Sequence, residues 1–129
     1  MRGLNRVMLI GHLGKDPEMM FTETRVPLAK ISLATTESYK DKAGKQVVHT
    51  EWHSVILWRS FAEMAQQYLR KGSLVYLEGK LKSRTWEDKD GHRKSVTEII
   101  AEHLVMLDKK DSSHHPDISR EEDDQPEQV

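Results

Sequence analysis

The sequence has no cysteine, which excludes disulfide bridges and thiolate metal sites and leaves the redox compartment open. Long apolar runs are missing too. Stretches such as Val7-Met8-Leu9-Ile10 fall far short of the roughly 20 residues that a membrane-spanning helix requires. The opening Met1-Arg2-Gly3-Leu4-Asn5-Arg6 enters a strand-like pattern without the apolar core of a secretory signal. A soluble intracellular protein with no membrane partner is therefore expected. The elements of catalysis are equally scarce. His12, His49, His53, His92 and His103 are scattered through different segments. His49 and His53 would share a strand face, but at about 13 Å by strand rise they could not ligate one metal. Gly11-His12-Leu13-Gly14 lacks the lysine and spacing of a phosphate-binding loop. Asp88 and Asp90 belong to a polar turn, and His114-His115 offers at most adventitious metal binding. No catalytic residue, resident metal or cofactor is expected.

What is present is a charge asymmetry. The 129 residues carry a net charge of -1. Residues 1–107 hold 17 Lys/Arg against 13 Asp/Glu, whereas residues 108–129 hold 3 against 8. A basic body followed by an acidic tail suits a polyanion-binding domain whose tail competes for the same face or serves another partner. The alternative is a solvated domain with a charged end. The tail, from Asp108 onward, has almost no apolar residue to offset its ordering entropy and is expected to be disordered.

Periodicity divides the body into six segments. Residues 4–10 read as a first strand ending at Gly11, and 12–25 as an irregular connection. Residues 26–36 alternate, placing Ala29, Ile31 and Leu33 on one apolar face. A Lys-rich loop at 40–46 turns at Gly44. A long strand then covers 47–58, with Trp52, Ser54, Ile56 and Trp58 on one parity and His53, Val55 and Leu57 on the other. From Ser60 the period becomes helical, with Phe61, Met64, Ala65, Tyr68 and Leu69 forming the apolar face. Ser60 and Glu63 form a capping-box pattern, and Gly72 is placed to end the helix. Strands at 73–86 and 93–107 flank a turn at 87–92, with a bulge expected near Ile99-Ile100-Ala101. The order β-β-β-α-β-β predicts an all-β OB-fold, a five-stranded Greek-key barrel with one helix between strands 3 and 4.

Binding single strands without sequence preference requires flat π surfaces for bases and cations for the backbone. Tyr39, Trp52, Trp58 and Trp86 supply the first. Lys40, Lys42, Lys45, Lys80, Lys82, Arg84, Lys89, Arg93 and Lys94 lie close to them in sequence. Lys80, Lys82, Arg84 and Trp86 share one strand parity, which lines three cations and an indole along one face. From the residues alone, each tryptophan could instead serve the core or a subunit interface, and Trp58 is the one expected to be buried. An RNA binder, a protein-binding relative of the same fold and an oligonucleotide-processing enzyme are the competing functions. The first shares the stacking chemistry, the second does without the spread of aromatics and cations, and the third needs acid clusters.

Met1-Arg2-Gly3-Leu4-Asn5-Arg6-Val7, Gly11-His12-Leu13-Gly14-Lys15-Asp16-Pro17-Glu18 and Thr50-Glu51-Trp52-His53 resemble the bacterial single-stranded DNA-binding proteins. So do Tyr68-Leu69-Arg70-Lys71-Gly72-Ser73, Val75-Tyr76-Leu77-Glu78-Gly79 and Arg84-Thr85-Trp86. The resemblance covers residues 1 to about 107. It implies a homotetramer of D2 symmetry that wraps single-stranded DNA in replication, recombination and repair, in the cytoplasm at the nucleoid. It assigns base stacking to Tyr39, Trp52, Trp58 and Trp86, with Tyr39 replacing a usual tryptophan and Trp58 a usual phenylalanine. It places His53 at a subunit interface. It also implies that the acidic tail, here Glu121, Glu122, Asp123 and Asp124, docks replication and repair proteins. The family's usual Pro-Phe tip is not matched, the sequence there reading Gln125-Pro126-Glu127-Gln128-Val129.

Overall fold

A computed structural model describes residues 2–108. The acidic residues at 121–124 and the paired histidines at 114–115 lie outside the described residues. The elements are β1 (Val7–Leu13), β2 (Glu18–Phe21), β3 (Pro27–Lys40), β4 (Gln46–Trp58), α1 (Ser60–Tyr68), β5 (Leu74–Glu87) and β6 (Arg93–Met106). Five strands close a barrel in the order β1-β5-β6-β4-β3, and β1 returns to pair with β3. The fold is the expected OB-fold, with β2 as an added short strand inside the segment expected to be irregular. β2 takes over the edge of β3 that β1 leaves free, from Glu18↔Lys30 to Phe21↔Pro27.

Two long antiparallel hairpins build the barrel. β3 and β4 run together from Leu28↔Trp58 to Lys40↔Gln46, and β5 and β6 from Val75↔Met106 to Glu87↔Arg93. The seams between them are short. β1 meets β3 only at His12↔Ala34 and Leu13↔Leu33, and β4 meets β6 in parallel at Val55↔Ile99 and Ile56↔Ile100. Alternation decides what is buried. Ala29, Ile31 and Leu33 of β3, Val55 and Leu57 of β4, and Val75 and Leu77 of β5 are wholly inaccessible. Past these residues and Glu98 of β6, burial stops on both faces, so the distal halves of the hairpins stand out from the barrel as two arms.

One turn design closes all three hairpins. In each, the first residue's N–H and C=O bond the fifth and fourth residues, as in Asp41 to Lys45 and Gly44, and Asp88 to His92 and Gly91. The Asp41 and Asp88 carboxylates accept further N–H bonds from residues two and four positions on. The fourth residue needs a left-handed backbone, and Gly44 (φ 79°) and Gly91 (φ 80°) provide it without a Cβ clash. In the β2–β3 turn Thr22 replaces the aspartate, and Arg25 occupies the left-handed position at φ 68°.

The structure corrects several boundaries. β1 starts at Val7 rather than at residue 4, and Leu4 is exposed. There Asn5 uses its side-chain amide to bond both the C=O and the N–H of Leu81. The helix cap is Arg59 at φ 55°, with no side-chain cap bond, and Ser60 is already inside the helix. The Arg59 N–H extends the sheet by donating to the Pro27 carbonyl at 2.9 Å, so the chain turns one residue before the expected box. The helix ends at Tyr68, with Leu69 as its cap. Gly72 instead redirects the chain into β5 at φ 91°, its N–H on the Leu13 carbonyl. The buried helix residues are Ala62 and Ala65, followed by the buried cap Leu69, with Phe61 and Met64 only partly buried around them. Small side chains let the helix backbone approach the barrel closely, which turns the larger ones to the rim. The bulge falls at Glu102, where Glu78 pairs with His103 and Gly79 with Ala101. A Cβ on Gly79 would lie 2.2 Å from the Ile100 carbonyl oxygen, so glycine is what admits this close crossing.

Candidate nucleic-acid interface

The register of β3 on β4 fixes the outer face. Trp52 lies opposite Ala34, Ser54 opposite Ser32, Ile56 opposite Lys30 and Trp58 opposite Leu28. Trp52 and Trp58 therefore stand on the same side of the sheet, roughly 20 Å apart by strand rise. Met20 of β2 pairs with Leu28 and extends an apolar row alongside Trp58. The expected aromatics are all accessible: Trp52 is 60% exposed, Tyr39 55%, Trp86 42% and Trp58 38%. Trp58 is the most covered of them but not a core residue, which corrects the expectation drawn from the residues alone. Tyr39 pairs with Val47 and so occupies the opposite face of the β3–β4 arm from Trp52.

Trp52 rests against the chain at Gly14. A Cβ on that glycine would come within 2.4 Å of the indole. Beside the ring is an open recess of about 270 Å³, lined by Lys15, Lys30, Ile31, Ser32, Trp52, His53 and Ser54. Lys15, Lys30 and the two serines were not among the expected site residues. The parity of Lys30 and the serines was readable, but only the β3–β4 register places them beside Trp52, and Lys15 arrives from the connection after β1, where the Gly14 N–H bonds the Ser32 carbonyl. Lys15 also pairs with Glu18 at 3.1 Å.

Trp86 sits near the tip of the β5–β6 arm, opposite Lys94. Lys80, Lys82, Arg84 and Trp86 share one face of that arm, as expected, but not all of the cations are free. Arg84 donates from Nε to Glu98 Oε1 at 3.1 Å and from Nη2 to Oε2 at 3.4 Å. Its guanidinium lies 4.9 Å over the Trp86 ring. Glu98 holds the Arg84 guanidinium above its ordinary pKa, first by hydrogen bonding and then by charge. Lys80 approaches Glu102 at 4.0 Å, and Lys94 approaches Asp88 at 3.8 Å. Lys40 is the last residue of β3, and Lys42 and Lys45 lie in the turn that follows it. Lys89 and Arg93 occupy the corresponding tip of the other arm.

His53, half-buried at the barrel rim, shares a 2.9 Å hydrogen bond with Thr35 Oγ1. On the β4 strand of the β3–β4 arm, His49 Nε2 lies 2.7 Å from Glu51 Oε2. That hydrogen bond, and then the histidine's charge, hold the Glu51 carboxyl below its ordinary value. Asp88, Asp90 and His92 could offer three metal donors within 4.8 Å of one another, but Asp88 is already engaged in building its turn. On the far side of the barrel, Met8 and Ile10 point outward from β1. There Tyr76 donates to Glu78, which also pairs with Arg6 at 2.9 Å. The Tyr76 hydrogen bond, followed by the Arg6 charge, holds the Glu78 carboxyl low, and the same hydrogen bond raises Tyr76. No helix among the described residues is long and apolar enough to cross a membrane.

Comparison with known proteins matches residues 4–107 to the model of the "Single-strand binding protein family". The chain is 47% identical over 112 residues to the single-stranded DNA-binding protein 1 of Chlorobaculum tepidum, covering 86% of this chain and 69% of that one. It is 42% identical over 115 residues to the single-stranded DNA-binding protein 1 of Xylella fastidiosa, covering 88% and 85%. Among solved structures, a Plasmodium falciparum SSB complex with ssDNA superposes at TM-score 0.75 and 34% identity, over 84% of this chain and 98% of that one.

Proposed function

The chain belongs to the single-strand binding protein family, and from that premise we propose that its outer β3–β4 face and two arms form one track for single-stranded DNA. The protein binds such DNA without base preference and protects it during replication, recombination and repair. It acts by binding, not by catalysis.

The observation that carries this reading is the exposure of all three tryptophans and Tyr39 on a small domain, beside a spread of lysines and arginines. Solvent-facing indoles cost stability when no partner covers them. Each stacked base contributes about 1–3 kcal/mol. Lys40, Lys42, Lys45, Lys80, Lys82, Lys89, Arg93 and Lys94, together with Arg84 beside Trp86, ring the aromatics and neutralise phosphates. Each neutralised phosphate contributes about -0.7 to the slope of log affinity against log salt. A duplex hides its base faces, so discrimination follows from geometry. The recess beside Trp52 extends the track with Lys15, Lys30, Ser32 and Ser54.

A homotetramer fits the same reading. Met8 is 60% and Ile10 57% exposed on the outer face of β1, an apolar strip suited to a second copy, and His53 stands at the rim for a further contact. The acidic residues Glu121, Glu122, Asp123 and Asp124 are proposed to dock replication and repair proteins. A cytoplasmic, nucleoid-associated location follows from the DNA partner.

The test is a tryptophan-fluorescence titration with oligo-dT at low and moderate salt, with a duplex of equal length as control. Quenching by oligo-dT alone, with the affinity read from it lowered roughly 5- to 150-fold in Trp86→Ala, is the expected result. Equal quenching by the duplex, or none by either, refutes the reading.

A further inference from the structure

Arg84 reads as one more cation on the DNA face, but its surroundings differ from those of its neighbours. Its partner Glu98 has a side chain only 6% exposed, whereas that of Arg84 is 58% exposed. A carboxylate taken out of water is strongly unfavourable once its counter-charge leaves. The guanidinium meets it with two nitrogens, at 3.1 and 3.4 Å, a forked geometry that lysine cannot reproduce. The same planar group lies over the indole of Trp86, two residues along the strand, at 4.9 Å from the ring centroid. That distance is within the range of a cation–π contact. A phosphate that captured Arg84 would have to strip Glu98 of its partner and uncover one face of Trp86 at the same time. Lys82, on the same face of β5, and Arg93 at the arm's tip present no such conflict.

We propose that Arg84 is a positioning residue for the Trp86 platform and not a phosphate contact: anchored by Glu98, it covers one face of the indole and leaves the other for a base. This deepens the single-strand reading and rests on it. Glu98, buried and acidic on a DNA-binding arm, becomes a requirement for binding and not an electrostatic obstacle to it.

The two roles predict opposite signs for one substitution. Glu98→Gln removes a negative charge and loosens the anchor. If Arg84 served a phosphate, freeing it would tighten oligo-dT binding and steepen the salt dependence. If it positions Trp86, binding weakens roughly two- to fivefold, the scale of one exposed cation–π contact, and the salt slope is unchanged. Arg84→Gln and Arg84→Lys are measured beside it in the full chain. The positioning role expects both to weaken oligo-dT binding without altering the salt slope. It also expects both to change the emission of Trp86 in DNA-free protein, read in a Trp52→Phe, Trp58→Phe background. Should Glu98→Gln fail to fold by circular dichroism, Arg84→Lys decides the matter through oligo-dT affinity and Trp86 emission, because it keeps a positive charge beside the buried Glu98. Tighter binding by Glu98→Gln overturns the proposal. So does a slope reduced by about 0.7 in Arg84→Gln but retained in Arg84→Lys, or unaltered Trp86 emission in both. Wild-type quenching is read in the same titration, so a failure of the single-strand reading shows there and is separate from the behaviour of the variants.

Discussion

Gly14→Ala should damage DNA binding while leaving the fold intact, and Gly11→Ala, three residues earlier, should do the reverse. The added methyl at Gly14 would lie 2.4 and 2.7 Å from two atoms of the Trp52 ring. Ordinary contact begins near 3.4 Å, so the ring has to yield by the 1.0 Å difference. It can, because Trp52 is largely exposed and the atoms struck are at the far end of its side chain. An off-rotamer shift costs about 0.5–1.5 kcal/mol, against which the stiffer unfolded chain contributes about 0.4–1 kcal/mol. Stability should therefore change by less than about 1 kcal/mol. A displaced platform loses part of the roughly 1–3 kcal/mol of a stacked base, so oligo-dT affinity should fall about three- to tenfold. At Gly11 the methyl would lie 2.3 Å from the Ala34 carbonyl oxygen, at the β1–β3 seam. Backbone there cannot swing aside, and overpacking of this kind costs about 1–3 kcal/mol. Urea denaturation and fluorescence titration of both variants measure the two quantities separately. A Gly14→Ala protein that binds normally, or that loses more stability than Gly11→Ala, would refute the reasoning.

Arg25→Gly should stabilise the protein by about 0.5–1 kcal/mol, since left-handed backbone costs a side chain about 1–2 kcal/mol and glycine's entropy returns about 0.5–1. A lower melting temperature would contradict it. Tyr76→Phe should raise the Glu78 carboxyl toward its ordinary 4.5, as followed by NMR titration. Because the folded-state value is depressed, the associated stability is present above about 4.5 and is lost as pH falls through the folded value. The variant's stability should accordingly change less with pH on the acid side, and an unchanged acid limb would count against this bond. If the proposed homotetramer uses β1, Ile10→Asp should reduce the mass seen by light scattering, and an unaltered mass would remove β1 from the proposed interface.

The sequence was most informative where one face of a strand is buried. Alternation in β3 marked Ala29, Ile31 and Leu33 as one apolar face, which is buried, and in β4 it set Trp52 and Trp58 on the parity opposite Val55 and Leu57. It was least informative where a tertiary bond overrides a local preference. Ser60 and Glu63 spell a capping box, yet the Arg59–Pro27 sheet bond starts the helix from Arg59. β2 has only four residues and borrows its regularity from the edge of β3, so no period of its own announces it. Trp52 and Trp86 stand beside polar and charged neighbours in the sequence, whereas the exposure of Trp58 was not legible from the residues alone. Lys30 and the serines near Trp52 needed the β3–β4 register, and Lys15 the path of the chain after β1, neither of which periodicity supplies. The engagement of Arg84 by Glu98 joins residues fourteen apart on paired strands, and parity alone reads Arg84 as a free cation.

The two arms leave the barrel after its last buried rung and end in interchangeable turns. Adding or removing two successive facing pairs of residues in an arm preserves parity and disturbs no core contact. Insertions and deletions can thus lengthen or shorten the reach of either arm with little change in the barrel's stability. The Asp-Lys-x-Gly turns at 41–44 and 88–91 would simply ride outward or inward with them. Footprint and fold are in this sense separately heritable: a lineage can alter how much nucleic acid one subunit covers without renegotiating the packing that keeps the subunit folded.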